Sequence, residues 1–532
     1  MNEALRLITR RHLRLLAARS RNLAGVILPA DLRRARALSL GARRAWDVAR
    51  WGIPVVTPRA AEVTVRRHLF EGAAAVLVRE GRRVVGAVEP SIPTVGRPAL
   101  SLLPRLERQL PAETRGLLRR IGGIGESMGC KVYAVGGFVR DLLLGRQAAE
   151  LDIVVEGDGL AVARRLASEL GGTLVVHATF GTATLEGGGA LRIDVATARQ
   201  EHYRLPGALP EVTPASVAED LRRRDFSINA MAMVLSATGF GDLLDPVRGA
   251  SDLARRRIRI LHPLSFVEDP TRMFRAIRYQ TRLGFALDRG SLGALRFAID
   301  VAPYPALSGQ RLTAELELIV AEEPTGPRSL ITLGRLGAFT ILDPSYRFSP
   351  RAARKVIDLG RLRHRLSDHG IALDPLPLGL LALVGHLSQE AAERCLRRLA
   401  VSGEPLSRLT GALREGPVLA QRLTKARAAP PSVRAAYLRG RSLESLGGAW
   451  LAGGESARRQ VEWFLAHGRT VQTLLGGDDL LALGVTRGPS IRQLLDRLRD
   501  CRLDGVAVTR EQELALVHQW IGPGNRAEAQ CG

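Results

Sequence analysis

The stretch that most constrains the fold is VYAVGGFVRDLLLGRQAAELDIVV, from Val132 to Val155. Its apolar opening predicts a short buried strand, and Gly136-Gly137 breaks that strand with a tight turn. FVRDLLLG has the spacing of a helix, and LDIVV predicts a second strand. Strands and helices continue to alternate to about Gly239. This part of the chain is therefore predicted to form a mixed α/β domain.

The glycine turn of this stretch is a candidate phosphate site. Such a turn exposes backbone N–H groups at the start of a helix, where the helix dipole adds partial positive charge. Arg140 lies one turn into the helix and can pair with a phosphate. We predict that Gly136, Gly137 and Arg140 bind the phosphates of a nucleotide.

Three carboxylates form a candidate metal site. Glu150 and Asp152 are two apart in a strand, so their side chains leave the same face. Asp194 lies in LRIDVATAR, another predicted strand. Carboxylates that repel one another suit Mg²⁺, which also takes ligands from substrate phosphates. Taken alone, a Glu-x-Asp pair is more often an exposed acidic strand end than a metal site.

Five motifs in one order resemble the class II tRNA nucleotidyltransferase and poly(A) polymerase family, within the polymerase β-like superfamily. The resemblance covers about residues 132–324 and continues weakly through the helical tail. The motifs that carry it are GGFVRD with ELD, EDLRRRDFSINAMA, DPVRGASDL, EDPTRMFRAIRY and RLTAELELI. The resemblance implies template-independent addition of nucleotides to an RNA 3′ end by a two-metal mechanism.

The second motif resembles the family's sugar-recognition segment. That resemblance implies that Arg224, Asp225 and Asn229 hold the triphosphate and ribose, with Asp225 reading the 2′-hydroxyl. The family resemblance as a whole also implies a catalytic and metal-binding role for Glu150, Asp152 and Asp194. The family pair is Asp-x-Asp, whereas this chain has Glu150 first. The extra methylene moves the carboxylate by about 1.5 Å, so activity is expected to be reduced or to favour Mn²⁺ over Mg²⁺.

The fourth motif resembles the base-selecting helix. Asp269 before Pro270 predicts an N-cap followed by proline at the first helical position. Asp269 and Arg272 lie three apart, and a carboxylate beside a guanidinium complements the edges of adenine and cytosine but not those of guanine and uracil. Arg275 and Arg278 continue the same stripe. In the fifth motif, Arg311 and Glu315 resemble the helix that supports this one.

The chain is expected to have a multidomain fold, α/β followed by α. We expect a CBS-like region at 1–95, a linker and leading helix at 96–129, a nucleotidyltransferase head at 130–250, a neck at 251–325, and a helical body and tail at 326–532. The first region resembles an incomplete CBS pair, an arrangement known ahead of such polymerases. A structural or dimerising role is favoured there, which implies a homodimer. The neck, body and tail are expected to be all helical.

Charge and composition favour a nucleic-acid partner. The formal net charge is +24, and arginine has nearly replaced lysine, which remains at three positions. That charge favours a polyanion, nucleic acid before an anionic membrane, over the alternative of a compositional bias toward arginine. No run of about 18 apolar residues predicts a membrane span. The four cysteines have no zinc spacing, which favours a reducing compartment, and a cytoplasmic location is expected.

The leading hypothesis is an enzyme that adds A, or C and A, to the 3′ end of tRNA. The resemblance, with its CBS-like region, favours A-addition, so the nucleotide would be ATP, with CTP as a second substrate if C is also added. The expected cofactor is Mg²⁺, with Mn²⁺ as the alternative. The first alternative is a poly(A) polymerase acting on general RNA through the same site. The second is a nucleotide- or RNA-binding protein that Glu150 has impaired as a catalyst.

Overall fold

The structure is a computed structural model that describes all residues except 21–22, 71–72, 90–99, 148–149, 188–191, 372 and 522–532. The chain divides into two compact units, Met1–Glu315 and Leu316–Gly532. Residues 96–99 of the expected linker and leading helix lie outside the described residues, and the rest of that range contains the helices Leu103–Gln109 and Ala112–Ser127. Within the described residues, no helix is both long and apolar enough to cross a membrane.

The strands all lie in the first unit. They are Leu16–Ser20 (β1), Leu23–Ile27 (β2), Arg50–Trp51 (β3), Val55–Val56 (β4), Val76–Glu80 (β5), Arg83–Val88 (β6), Lys131–Val135 (β7), Glu150–Glu156 (β8), Thr173–His177 (β9), Thr182–Glu186 (β10), Arg192–Thr197 (β11), Arg199–His202 (β12), Glu211–Pro214 (β13), Ala232–Val234 (β14), Leu243–Leu244 (β15), Arg257–Ile258 (β16) and Ala286–Leu287 (β17).

Helices occur in both units and make up nearly all of the second. They are Asn2–Arg10 (α1), Pro29–Ala37 (α2), Glu62–Phe70 (α3), Leu103–Gln109 (α4), Ala112–Ser127 (α5), Gly137–Leu144 (α6), Gly159–Leu170 (α7), Val217–Arg223 (α8), Gly249–Ala254 (α9), Ser265–Glu268 (α10), Thr271–Leu283 (α11), Arg289–Val301 (α12), Gly309–Ala321 (α13), Gly326–Leu336 (α14), Pro350–Ser367 (α15), Pro375–Val384 (α16), Gln389–Arg398 (α17), Gly403–Lys425 (α18), Pro431–Leu438 (α19), Leu443–Ala452 (α20), Glu455–Trp463 (α21), Gly477–Ala482 (α22), Pro489–Leu503 (α23) and Arg510–Ile521 (α24).

A seven-stranded mixed sheet organises the middle of the first unit. Its strand order is β15-β14-β7-β8-β11-β10-β9, and only β8 and β11 pair in parallel. Burial alternates over the first four residues of β8 and of β11, because one face packs on the core and the other carries polar side chains there. Tyr133, Val135 and Val154 join Leu221 in one hydrophobic cluster. The predicted mixed α/β head is confirmed.

The N-terminal region contains two small sheets, β1-β2-β3 and β4-β5-β6. β2 and α2 lie on either side of Leu28, and β5 and β6 are joined through Glu80-Gly81. Gly81 has φ +56°, which suits this tight connection. Whether these elements form the CBS-like region expected at 1–95 stays a prediction.

The expectation of an all-helical neck was wrong in one respect. β16 and β17 pair in parallel within it, and the Ala286 N–H also donates to the carbonyl of Arg256. The buried Ile258 and half-buried Leu287 lie in this ladder, so two short segments between helices use backbone pairing to cover apolar side chains. A short run of this kind has no period from which a strand can be predicted.

The second unit is helical throughout its described part, as predicted. α18 and α20 cross in close contact, because a Cβ on Gly416 would come 2.6 Å from the carbonyl carbon of Gly448. Glycine at these two positions therefore allows the helix backbones to approach. A separate apolar cluster near the C-terminal end contains Leu475, Leu480 and Leu498.

Candidate active site

The glycine turn between β7 and α6 forms the floor of the candidate site. Gly136 has φ +66°, a conformation that side-chain-bearing residues rarely adopt. A Cβ there would lie 3.0 Å from Nη1 of Arg224 and 3.1 Å from Oδ2 of Asp152. The backbone N–H of Gly137 donates to the Asp152 carboxylate. The turn thus brings a backbone donor, a guanidinium and a carboxylate together in a space that a larger residue would fill.

The predicted carboxylates lie on neighbouring strands of the sheet. β8 and β11 place Asp152 directly opposite Asp194, and Glu150 opposite Arg192. Paired residues of parallel strands project from the same face, so Asp152 and Asp194 share one side of the sheet. Glu150 is exposed at the start of β8, while the other two are half-buried. Asp194 also accepts a hydrogen bond from Thr184 and lies 3.4 Å from Arg192.

Asp152 carries an unfavourable charge in this arrangement. Burial raises the pKa of Asp152, the Arg224 guanidinium lowers it, and the charges of Asp194 and Glu150 raise it again, with a net rise. A nearby cation would reverse the effect of the two neighbouring carboxylates.

The predicted three-carboxylate metal group does not form as expected. Among the described residues, no three His, Cys, Asp or Glu side chains gather closely enough to hold an ion. Asp194 is drawn toward Thr184 and Arg192, and mutual repulsion favours the open arrangement. Asp152 and Asp194 nevertheless fit a divalent cation of the Mg²⁺ type, because such an ion takes one or two carboxylates and completes its shell with water and substrate phosphates.

Arg224 is held in place by a residue that the sequence analysis did not single out. The Asp220 carboxylate is completely buried and accepts from Arg224 at 3.1 Å and from Arg223. Burial raises the pKa of Asp220, but the charges of Arg224 and Arg223 outweigh it and lower the pKa. Arg224 Nη1 remains beside Gly136, where an incoming phosphate could meet it. Asp220 lies inside the motif EDLRRRD, so the signal was present in the sequence.

A buried series of hydrogen bonds connects the glycine turn to α11, the predicted base-selecting helix. Arg140 donates to both oxygens of Asp141 and, at 2.8 Å, to Oδ1 of Asn229. Asn229 donates to Asp225, which accepts two further bonds from Arg275 at 2.8 and 3.0 Å. Because Arg140 is buried and its contacts are with protein, its predicted phosphate contact stays a prediction. The geometry suits it to positioning Asn229.

In this series of hydrogen bonds, the negative charge of the Asp225 carboxylate is balanced by its neighbours. Burial raises the pKa of Asp225, but the charge of Arg275 and the hydrogen bonds from Asn229 and Arg275 outweigh burial and lower the pKa. Oδ1, which accepts from Asn229, also accepts from the Phe226 backbone N–H, while Oδ2 accepts from Arg275. Asp225 is therefore an ionised, immobilised acceptor at the start of the segment that was predicted to bind ribose.

The predicted Asp269–Arg272 pair is looser than expected. Their closest approach is 3.9 Å, and each has other partners. Asp269 accepts from the Thr271 backbone N–H and lies 2.8 Å from Arg311. Arg272 donates to Ser265 and to the backbone carbonyl of Arg223. The helix α11 begins at Thr271, with Pro270 at the N-cap, so the predicted helix start was wrong by one residue, although Asp269 does satisfy a first-turn N–H.

The fifth motif contacts α11 and its N-terminal turn, and the role implied for it by the resemblance stays a prediction. Glu315 accepts from Arg275 at 3.2 Å and lies 3.5 Å from Arg278, while Arg311 holds Asp269. Tyr279, which the sequence analysis did not single out, lies within 5.2–5.6 Å of the guanidinium carbons of Arg140, Arg275, Arg278 and Arg282. An aromatic face among so many cations is electrostatically favourable.

Two further residues near the site had no signal in the sequence. Glu201, in β12, accepts from Arg223 and lies 3.7 Å from Arg272. Tyr203 donates its hydroxyl to Glu201, and burial raises the pKa of Tyr203. They belong to no motif, and only the folded chain brings them to the site.

Comparison with known proteins gives a consistent result. Residues 132–259 match the Poly A polymerase head domain family. The chain is 37% identical over 421 residues to the A-adding tRNA nucleotidyltransferase of Geobacter sulfurreducens, covering 77% of this chain and 47% of that protein. It is 31% identical over 431 residues to the A-adding tRNA nucleotidyltransferase of Halalkalibacterium halodurans, covering 79% and 96%. The chain thus spans about half the length of the first relative and nearly all of the second.

A solved structure extends the likeness to three dimensions. An apo form of a CCA-adding enzyme aligns with a TM-score of 0.68 at 30% sequence identity. The alignment covers 79% of this chain and 99% of that enzyme. The likeness therefore includes the helical part as well as the head.

Proposed function

Since this chain belongs to the class II tRNA nucleotidyltransferase family, we propose that it transfers AMP from ATP to the 3′ end of tRNA. The observation that carries the proposal is the convergence of Gly136, Asp152 and Arg224, which places a guanidinium and a carboxylate beside a glycine turn that has no side chain of its own. Two relatives described as A-adding favour A over C. The likeness to a CCA-adding enzyme keeps CTP as a second substrate.

The reaction joins the tRNA 3′-oxygen to the α-phosphorus of ATP. The bond from that phosphorus to the bridging oxygen breaks, pyrophosphate leaves, and the hydroxyl proton passes to solvent. A divalent cation at Asp152 and Asp194, with Glu150 as a further ligand, would acidify the 3′-hydroxyl and offset the charge on pyrophosphate. Mg²⁺ is the proposed ion, and Mn²⁺ the one that Glu150 would tolerate better.

The chain's own residues bind and orient the nucleotide. The Gly136-Gly137 turn approaches the triphosphate closely, and Arg224 pairs with a phosphate oxygen while Asp220 fixes its direction. Asp225, held by Asn229 and Arg275, accepts from the ribose 2′-hydroxyl. An immobilised acceptor loses no orientation on binding, which favours ribonucleotides over deoxyribonucleotides.

Base choice is assigned to the start of α11. Asp269 and Arg272 are held apart by Arg311 and Ser265, so each presents one side of its polar group at a fixed place. An acceptor beside a donor complements the amino group and ring nitrogen of adenine and cytosine. Guanine and uracil would leave buried groups unpaired, at a cost of about 1–3 kcal/mol for each group.

The rest of the chain is assigned supporting roles. The basic helical part, 326–532, would hold tRNA by phosphate contacts and shape. The region 1–95 is proposed to be an incomplete CBS pair that joins two copies of the chain. The division into a linker at 96–129, a head at 130–250 and a neck at 251–325 belongs to the same proposal, as does a cytoplasmic location.

A nucleotide-addition assay tests the proposal. Purified protein is incubated with Mg²⁺, labelled ATP or CTP, and tRNA transcripts that end before the first C, the second C or the A. We expect one A to be added to tRNA ending in CC, with Glu186→Gln, an exposed carboxylate of the same sheet, as active as the original chain. No incorporation with Mg²⁺ or Mn²⁺ would support the impaired form, and long tails on unrelated RNA would support a poly(A) polymerase.

A further inference from the structure

A groove lies between the helices α1 and α2, and arginines line both of its sides. Arg6 and Arg10 come from α1, and Arg33 and Arg36 come from α2. Residues three or four apart on a helix share a face, so each helix presents its two arginines together. None of the residues assigned to nucleotidyl transfer lines this groove, which we call the arginine groove.

The two helices that form the arginine groove are fixed against each other. The Asn2 N–H donates to the carbonyl of Gly41, and a Cβ on Gly41 would come 2.5 Å from the Asn2 side chain. Ile8 of α1 and Leu32 and Ala35 of α2 are buried, whereas the four arginines are exposed. The packing of the apolar side chains therefore holds the arginines in place at the surface.

The protein does not balance the positive charge of the arginine groove. Its lining contains no aspartate or glutamate. Within the part of the chain that the structure describes, the four guanidinium groups make no ion pair and no hydrogen bond. Asp31, the acid of α2, is buried and bonded to Arg50 at 2.8 and 2.9 Å. Four like charges along one groove repel one another, and an anion bound among them would relieve that repulsion.

Arginine is concentrated in this part of the chain. Residues 1–44 contain eleven arginines, no lysine and two acidic residues, so they carry nine of the 24 net positive charges on a twelfth of the length. A bias toward arginine spread evenly along the chain would give this segment only a twelfth of the charge. The excess favours a polyanionic partner over a general compositional bias.

We propose that the arginine groove binds the phosphodiester backbone of the RNA substrate. The choice of RNA as the polyanion rests on the proposed function. Arg6 and Arg10 are about 6 Å apart along the axis of α1, close to the spacing of successive phosphates in an RNA strand. A guanidinium group can pair with a phosphate through two parallel N–H donors. Such contacts are independent of base sequence, so the groove adds affinity for RNA and not base choice.

A short contact joins α2 to the proposed nucleotide site. Arg34 follows Arg33 on α2, and its Nε lies 3.1 Å from Oε1 of Glu268. Glu268 directly precedes Asp269 in the chain. RNA in the arginine groove would thus be held by the same unit that contains the nucleotide site. The RNA contacts proposed for residues 326–532 belong to the other unit.

Two other occupants fit the arginine groove less well. A helix that lies on a membrane inserts a broad apolar face into the lipid, whereas the apolar lining here is limited to Leu5 and Ala37. A second copy of the chain that met this one through the same groove in a twofold dimer would place arginines against arginines. RNA remains the partner that the charge and the shape favour.

Binding of RNA to the full chain, in the absence of ATP, tests the proposal. The affinity for a tRNA transcript ending in CC is measured by fluorescence anisotropy at several salt concentrations. The groove variant carries Arg6→Ala, Arg10→Ala, Arg33→Ala and Arg36→Ala. It should bind at least about tenfold more weakly, and the slope of log affinity against log salt should fall in magnitude by about 2 to 3.

The matched control removes the same charge from four exposed arginines elsewhere in the N-terminal region, and it should keep the affinity and the salt slope of the original chain. It carries Arg59→Ala, Arg67→Ala, Arg82→Ala and Arg83→Ala. Circular dichroism checks that each variant folds. If the groove variant does not fold, the double variants Arg6→Gln/Arg10→Gln and Arg33→Gln/Arg36→Gln replace it, each with a slope lowered by about 1.

The outcomes separate this inference from the proposed reaction. A loss of affinity and of salt slope in the groove variant, but not in the control, supports the inference even if the chain transfers no nucleotide. Equal RNA binding by the two variants overturns it even if the chain is an active transferase. Binding of phosphatidylserine vesicles that only the groove variant loses, with its RNA affinity unchanged, also overturns it and assigns the groove to a membrane.

Discussion

The candidate nucleotide site has a carboxylate side, formed by Asp152 and its acidic neighbours, and a side around Asp225 that is proposed to bind ribose and is called the ribose side. The buried negative charge is balanced by protein groups on the second side but not on the first. On the carboxylate side, Asp152 faces Asp194 and Glu150, and its pKa is raised by burial and by these like charges. On the ribose side, Asp225 is more deeply buried than Asp152, but it is bonded to Asn229 and Arg275, and its pKa is lowered. One side is complete without a ligand, whereas the other is arranged so that a cation would stabilise it.

This difference predicts that activity and stability respond separately to substitutions on the two sides. Asp152→Asn should lower kcat/KM for ATP by about 10³-fold, because a ligand of the divalent cation is lost. The same change should leave the midpoint of thermal unfolding of the cation-free protein unchanged or raise it, because a repelled charge is removed. Kinetics and calorimetry measure the two effects, with Glu186→Gln as the control. A clear fall in the unfolding midpoint of Asp152→Asn would contradict the claim that repulsion among these carboxylates destabilises the cation-free protein.

The glycine turn sharpens the test, since strain and site geometry can be separated there. Gly136→Ala should lower kcat/KM by about 10²-fold and destabilise the fold by about 1–2 kcal/mol, because a Cβ at φ +66° would press on Arg224 and Asp152. Gly145→Ala is the control, because Gly145 has φ +71° and open surroundings. It should be destabilised similarly but keep its activity. Equal activity losses would show that strain alone is responsible.

On the ribose side, the expected effect is mainly on stability. Asp225→Asn should lower the free energy of unfolding by about 2 kcal/mol, because Arg275 loses a buried partner. The exposed pair of Arg66 and Glu62 provides the control, and Glu62→Gln should cost less than about 0.5 kcal/mol. Urea denaturation at neutral pH measures both. A cost for Asp225→Asn as small as the control's would contradict a preformed network.

The pH dependence of that cost follows from the lowered pKa of Asp225. An acid with a lowered folded pKa stabilises the fold above its unfolded pKa of about 3.9 and loses that contribution as pH falls through the folded value. The stability difference between the original chain and Asp225→Asn should therefore be constant from pH 7 to about pH 5 and shrink below about pH 4. A difference that stays constant to pH 2 would contradict the assignment.

The smallest expected effect concerns the residue that departs from the family pattern. Glu150→Asp should raise kcat with Mg²⁺ a few-fold, roughly threefold to tenfold, because the shorter side chain suits the strict geometry of that ion. With Mn²⁺ the gain should be smaller. Activity unchanged with either ion would indicate that exposed Glu150 contacts no cation.

Sequence reasoning predicted the local elements but not the contacts between them. The strand, turn and helix around Gly136 follow from periodicity and from glycine's conformational freedom. The pairing of Asp152 with Asp194 depends on the order of strands in the sheet, which no local pattern contains. Arg140 and its partner Asn229 are 89 residues apart. The sequence predicted a phosphate contact for Arg140, and no local pattern indicated its hydrogen bond to Asn229.

The predictions that were wrong for α11, the predicted base-selecting helix, failed for a similar reason. The Asp-Pro pair predicted a helix start to within one residue, since capping is local. The expected tight Asp269–Arg272 pair did not form, because Arg311 and Ser265, from other elements, offer each residue a closer partner.

Electron paramagnetic resonance of bound Mn²⁺ tests the central claim most directly, since it counts cations without requiring turnover. The original chain should bind Mn²⁺ in the presence of ATP, and Asp152→Asn and Asp194→Asn should each weaken that binding at least about tenfold, while Asp225→Asn keeps the cation. Equal Mn²⁺ binding by all four proteins would contradict the assignment of the carboxylate side as the cation site.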